Sequence, residues 1–157
     1  MKYNLLEIRT KEAIKVCPLS RLESFKWINF AGDTLTFVNS QKIAAAKTLS
    51  VTGLLEILVK GTATLLTSYQ TEVLPPTYVT GLDVGRKESK IEKKIVYYIA
   101  IDNHLCPASK KEKCEACFGE WAGKVMDYAR QNHLKFTRRT DLIRMVEYYN
   151  RLIVSKP

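Results

Sequence analysis

Short runs of apolar and β-branched residues, one of them alternating with polar residues, recur over the first hundred positions, which is the pattern of β-strands. The stretches "KYNLLEI" and "GDTLTFV" are predicted as short strands, and residues 47–74 as mostly strand, although "GLLEILVKG" within them could form two helical turns. The stretch "LSRLESFKWINF" is predicted as a helix, with Ser20 as its N-cap and Glu23 completing a capping box. Two prolines at 75–76 interrupt this strand-rich part.

Two further strands are predicted after the prolines. "TYVTGLDV" and "KKIVYYIAI" are rich in β-branched and aromatic residues, and the charged segment "GRKESKIE" between them is predicted as the loop of a hairpin. The second strand leads into "HLCPASKKEKCEAC", residues 104–117, which holds one histidine and three of the four cysteines.

Helical periodicity replaces alternation beyond that segment. Apolar residues recur at helical spacing over 118–132, and a last helix is predicted from Thr140, with an apolar face that includes Val146 and Tyr149. The order of elements predicts one α+β domain over residues 1–157. Its parts are a mainly antiparallel sheet (strand-rich, 1–103), a Cys/His loop (104–117) and two C-terminal helices in a basic region (118–157).

Charge adds a candidate partner to this picture. The net charge is +9, of which residues 1–85 contribute +2 and residues 86–157 contribute +7. Such an excess attracts polyanions, so nucleic acid is the predicted partner, with DNA favoured over RNA. Charges near the N-terminus and the lack of an 18-residue apolar span predict a soluble, intracellular protein without integral membrane association. The presence of three glutamines in 157 residues favours a thermophilic source.

Two groups of cations are the candidate nucleic-acid-binding residues. One lies in and after the charged loop, and the other precedes and lines the last helix, where backbone amides favour anions. They are Arg86, Lys87, Lys90, Lys93, Lys135, Arg138, Arg139, Arg144 and Arg151.

The Cys/His segment has the donor set of a structural zinc site. His104 and Cys106 leave a predicted strand, and Cys114 and Cys117 enter a predicted helix, so that four ligands could converge on one tetrahedral ion. Cys17 could replace His104, which would give four cysteines for an iron–sulfur cluster. A disulfide, or buried free thiols, are the alternatives without a metal.

The order of strand, "HLCP", loop, "CEAC" and helix resembles the SWIM-type zinc finger over about residues 95–130. In that family a C-x-C pair followed by proline leads through a loop to a C-x-H pair on a helix. Here "HLCP" stands in place of the first pair and "CEAC" in place of the second. The resemblance implies binding to DNA, or to protein partners in DNA transactions.

A catalytic alternative rests on Asp83 and the "IEKK" stretch. Asp83, Glu92 and Lys94 resemble the D…(D/E)-x-K core of restriction-like nucleases, and Glu88 could supply a carboxylate in the same loop. Two carboxylates can hold Mg²⁺, which polarises a phosphodiester and activates water. Nucleic-acid binding with a structural metal or disulfide is therefore the predicted function, a Mg²⁺-dependent nuclease the alternative, and a protein-interaction adaptor the third interpretation.

Overall fold

Strands that follow one another along the chain form the sheets of this protein. The computed structural model describes residues 5–43, 51–78, 81–102, 104–108 and 111–154. Six strands pair antiparallel in the order β3-β4-β5-β6-β7-β8, and β1 and β2 form a separate antiparallel pair. The strands are β1 Leu5–Arg9, β2 Ile14–Pro18, β3 Ser24–Ile28, β4 Thr34–Asn39, β5 Leu54–Val59, β6 Thr64–Leu74, β7 Lys90–Ile101 and β8 His104–Pro107.

Three helices follow the strands, which confirms the predicted α+β fold with C-terminal helices. They are α1 (Lys111–Cys117), α2 (Ala122–Gln131) and α3 (Arg139–Val154). Their apolar side chains pack on one face of the sheet and form the main core with residues of the central strands. That core includes Leu65, Ile99, Phe118, Val125, Leu142 and Val146.

The opposite face of the sheet has a smaller core. Leu55, Leu66, Tyr98 and Leu105 are buried together there, against partly buried side chains of β4 and β5. Because successive side chains of a strand point to opposite faces, Leu65 packs in the main core and its neighbour Leu66 packs in the smaller core. The central strands are therefore buried on both faces, which explains their near-continuous apolar runs.

The helix predicted over "LSRLESFKWINF" is wrong. This segment forms a short 3₁₀ turn, Leu19–Arg21, and then β3. Asn39 determines this conformation from a distance, since its Nδ2 donates to the carbonyl oxygens of Leu19 and Leu22 at 2.5 and 2.9 Å. Those carbonyls are thereby held outside a helical ladder, and the aromatic residues that follow pair with β4.

The strand predicted over "TYVTGLDV" is also wrong, and residues 79–80 of it lie outside the described residues. The partner of β7 is β6, which ends at Leu74 before the two prolines. Arg86 closes the connecting loop, with Nε donating to the Glu88 carbonyl at 2.7 Å and Nη2 to the Pro75 carbonyl at 2.9 Å. Asp83 has a left-handed backbone, with φ 48°, and lies in a turn of this loop.

The helical region differs from its prediction in two details. Cys114 and Cys117 both lie on α1, so the expected Cys/His loop is a strand, a short connection and a helix. The helix predicted over 118–132 begins with a 3₁₀ turn and continues as α2. In the part of the chain that the structure describes, no helix combines the length and the apolar character needed to span a membrane.

Candidate nucleic-acid interface

The far end of the β6–β7 pair extends beyond the neighbouring strands. β5 pairs with β6 only as far as Ser68, and β8 pairs with β7 from Tyr98 onwards. Among the described strands, residues 69–74 and 90–95 therefore pair only with each other. We call this two-stranded segment the ribbon.

The two faces of the ribbon differ in chemistry because side chains alternate along each strand. The face shared with the helices carries four large apolar side chains that are at least half exposed, with Thr71 and Lys93 paired between them. The apolar residues are Tyr69, Val73, Ile91 and Ile95. The other face is polar, with Gln70 opposite Lys94 and Glu72 opposite Glu92.

The start of α3 is bound to the sheet where the ribbon begins. Glu56 on β5 has a side chain only 3% exposed, and it receives Arg139 Nη2 at 2.6 Å and Nη1 at 3.2 Å. The Tyr69 hydroxyl donates to Glu56 Oε2 at 2.5 Å and accepts from Arg139 Nη1 at 3.1 Å. These three side chains thus form a closed hydrogen-bonded triad between the helical layer and the sheet.

The triad perturbs the protonation of its members. Partial burial, followed by the hydrogen bond to Glu56, raises the pKa of Tyr69 above its ordinary value. The hydrogen bond to Glu56 raises the pKa of Arg139 against the opposing effect of desolvation. Tyr69 is therefore a neutral hydroxyl at physiological pH, and Arg139 is a cation.

Most of the predicted cations of the loop have intramolecular partners. Arg86 holds the loop through its carbonyl contacts, and Lys87 lies 3.6 Å from Asp83 and 4.5 Å from the centre of the Tyr78 ring. Lys90 Nζ donates to Glu92 at 2.7 Å. Lys93, by contrast, is exposed and makes no side-chain hydrogen bond or ion pair with the described residues.

The cations before and on the last helix differ in their side-chain partners and in their position along the helix. Lys135 and Arg138 are exposed near Arg139, and their side chains have no acceptor among the described residues. Arg144 Nη2 donates to the Asn132 side chain at 3.3 Å. Arg151 lies twelve residues beyond Arg139, about 18 Å along the helix axis, and lines a different depression beside Lys60.

The residues of the nuclease hypothesis lie on two different elements. Asp83 accepts the Tyr78 hydroxyl at 2.6 Å and lies in a turn, whereas Glu92 and Lys94 lie on the polar face of the ribbon. The hydrogen bond from Lys90 lowers the pKa of Glu92. Glu88 is exposed and contributes its backbone carbonyl to Arg86.

Three of the four cysteines lie at the junction of β8 and α1. Cys117 Sγ donates to the Lys113 carbonyl at 3.1 Å and is within hydrogen-bonding reach of Cys106. Burial, with a smaller contribution from Cys106, raises the pKa of Cys114 to about 12, and burial also raises that of Cys117. These thiols are a donor set that suits a soft cation such as zinc, although binding must displace their protons.

The fourth predicted ligand differs between the two metal hypotheses. His104 is exposed on β8, and its Nδ1 lies 3.0 Å from the Asp102 carbonyl oxygen. Cys17, the fourth ligand of the iron–sulfur alternative, lies on β2 in the separate sheet. Across the described ranges, no three or more His, Cys, Asp or Glu residues are arranged to hold a metal, and no cysteine is in a disulfide. The metal assignments therefore stay predictions.

Sequence reasoning missed Glu56 and Tyr69. The available signal was Glu56 itself, the one charged residue in the strand "LLEILV". A carboxylate in such a strand requires a buried partner. The partner could not be identified, because Arg139 is 83 positions away.

Comparisons with known proteins give no relative from which a function could be inferred. No protein-family model, no curated protein and no solved structure matches the chain.

Proposed function

We propose that this protein binds nucleic acid through a surface formed by one end of α3 and the ribbon. The surface consists of Lys93, Lys135, Arg138 and Arg139, and we call it the basic surface. The observation that carries the proposal is that three of these four side chains, those of Lys93, Lys135 and Arg138, are exposed cations without an acceptor among the described residues. Phosphates would neutralise them and release counterions.

The position of these cations supports a common ligand. Arg139 contacts Tyr69, and Tyr69 pairs with Ile95 in register on the face shared with the helices. Lys93 pairs with Thr71 one step further along the same face. The cations therefore follow one path from the start of α3 onto the ribbon, as a polyanion requires.

The test is the salt dependence of binding. Fluorescence anisotropy with labelled DNA and RNA oligonucleotides, each single-stranded and duplex, should give an affinity that falls linearly on a log–log plot against salt. Replacing Lys93 and Lys135 by glutamine should reduce the slope by about 0.7 to 0.9 for each lost phosphate contact.

A charge-matched variant controls for net charge. Lys11, in the turn between β1 and β2, and Lys15, on β2, are exposed lysines, so Lys11→Gln with Lys15→Gln removes the same charge elsewhere. This variant should keep nearly the wild-type slope. Equal slopes for the two double variants, or an affinity insensitive to salt, would contradict the basic surface as the binding site.

A further inference from the structure

Arg139 has hydrogen-bonding capacity that the triad leaves unused. A guanidinium group has five N–H donors. Nη1 uses both of its donors, to Glu56 and Tyr69, and Nη2 uses one, to Glu56. Nε–H and the second Nη2–H remain, and no described residue accepts from them. These two donors lie on one edge of the planar group and form a fork that fits two oxygens of a phosphate.

The orientation of that edge is imposed by the protein. The Glu56 carboxylate accepts hydrogen bonds from Nη1 and Nη2. The free edge, formed by Nε–H and the second Nη2–H, is therefore directed away from the buried carboxylate. The Arg139 side chain is 41% exposed and solvent reaches it. Arg139 is thus a pre-oriented cation, unlike a lysine on a flexible stem.

The Tyr69 ring is held in place at the same guanidinium group, with its hydroxyl at Nη1. Its hydroxyl bonds to both Glu56 and Arg139, yet the residue is 52% exposed. A depression of about 410 Å³ adjoins it, lined by Tyr69, Gln70, Thr71, Lys93, Lys94 and Ile95. An immobilised, exposed aromatic ring offers a stacking surface at low entropic cost.

We infer that Tyr69 and Arg139 form a subsite for one unpaired nucleotide, whose base stacks on the Tyr69 ring and whose phosphate binds the free edge of Arg139. The inference rests on the proposed function and names its ligand class, which is single-stranded nucleic acid. In a duplex each base is stacked between its neighbours and cannot offer a face to a protein ring. Lys93, on the same face of the ribbon as Tyr69, then contacts an adjoining phosphate.

Tyr69→Leu tests the stacking directly. The probe is a fluorescein-labelled twelve-nucleotide oligothymidylate, compared with a duplex of the same length. We expect Tyr69→Leu to weaken single-strand binding roughly 5- to 100-fold, the usual contribution of one stacked base, and to leave duplex affinity within about twofold.

Two variants separate stacking from other effects. Tyr69→Phe removes the hydroxyl bonds but keeps the ring, so its single-strand affinity should remain within a few-fold of wild type. Trp27→Leu removes an aromatic residue of the same 52% exposure on β3 and should leave binding unchanged. Equal losses for Tyr69→Leu and Trp27→Leu overturn the subsite.

A measurement on the unmodified chain guards against unfolded variants. Photocrosslinking with an oligonucleotide that contains 5-iodouracil should give an adduct on the peptide that carries Tyr69, and adducts confined to other peptides overturn the inference. Binding of strand and duplex that is unaffected by Tyr69→Leu overturns the subsite but retains the proposed function. If the wild-type protein binds neither probe at low salt, both are overturned.

Discussion

Glu56 and Arg139 join the sheet to the last helix through a two-point ion pair. Arg139 Nη2 and Nη1 donate to the two carboxylate oxygens at 2.6 and 3.2 Å, across 83 positions of sequence. The carboxylate is buried and the guanidinium is partly exposed. Burying a carboxylate is costly unless it is paired, so the start of α3 must remain at this point on β5.

Loss of the guanidinium should therefore destabilise the fold. We expect Arg139→Gln to lower the free energy of unfolding by about 2–3 kcal/mol, because Glu56 is left buried without its cation. Urea titration followed by circular dichroism measures the change. Arg130→Gln is the matched control, since Arg130 pairs with Asp127 on the surface at 3.2 Å and such pairs contribute about 0–1 kcal/mol. Equal effects of the two substitutions would show that the Glu56 pair has no special role.

A second link between α3 and the sheet is the Asn150 side chain. It accepts from the Ala63 amide at 2.7 Å and donates to the Ala63 carbonyl at 2.9 Å. Asn150→Ala should cost about 1–3 kcal/mol, because both backbone groups lose their partner.

Gly61 provides a coupled test of the same contact. A Cβ at this position would overlap the Asn150 carboxamide, so Gly61→Ala should destabilise the wild-type protein but much less in the Asn150→Ala background. Gly123→Ala is the control, since open space surrounds Gly123 on α2 and the change should stabilise by up to about 1 kcal/mol. Additive costs of Gly61→Ala and Asn150→Ala in chemical denaturation would refute the contact.

Metal analysis decides among the interpretations of the cysteines. We expect about one zinc per chain in purified protein, reduced by Cys106→Ser and by Cys117→Ser but not by Cys17→Ser. Zinc affinity should rise with pH, because the raised pKa of Cys114, about 12, means that zinc competes with protons. If Cys17→Ser instead removes bound iron, the iron–sulfur alternative holds. Absence of both metals with four titratable thiols would rule out both sites.

The nuclease hypothesis makes a prediction at Asp83. Because Asp83 is bonded to Tyr78 and lies in a turn, we expect Asp83→Asn to leave any Mg²⁺-dependent cleavage of linear DNA unchanged. Gel assays with Mg²⁺ and with EDTA measure the activity. The matched substitution is Asp33→Asn, in the turn that precedes β4. Cleavage abolished by Asp83→Asn alone would restore Asp83 as a catalytic residue.

Local pattern accounts for the elements that were predicted correctly. Each strand or helix has a buried side, and that side sets the spacing of its apolar residues. This spacing is visible in consecutive residues, as in the strand-like runs of β4 and β7 and the 3.6-residue periodicity of α3. The predictions failed where a side chain from a distant part of the sequence hydrogen-bonds to the backbone carbonyls of the segment. Asn39 holds residues 19–22 out of a helix, and Arg86 closes the loop where a strand was expected.

The α+β class, the position of the last helix and the basic character of the second half follow from the amino-acid sequence, because strand-like runs, helical periodicity and charge are properties of neighbouring residues. Which cations have partners is visible only in the folded chain. Arg139 was predicted as a phosphate ligand from its place before a helix, yet one side of it is bound to a carboxylate on β5. Pairing across a fold depends on distances between residues that are remote in sequence, and no local pattern encodes those distances.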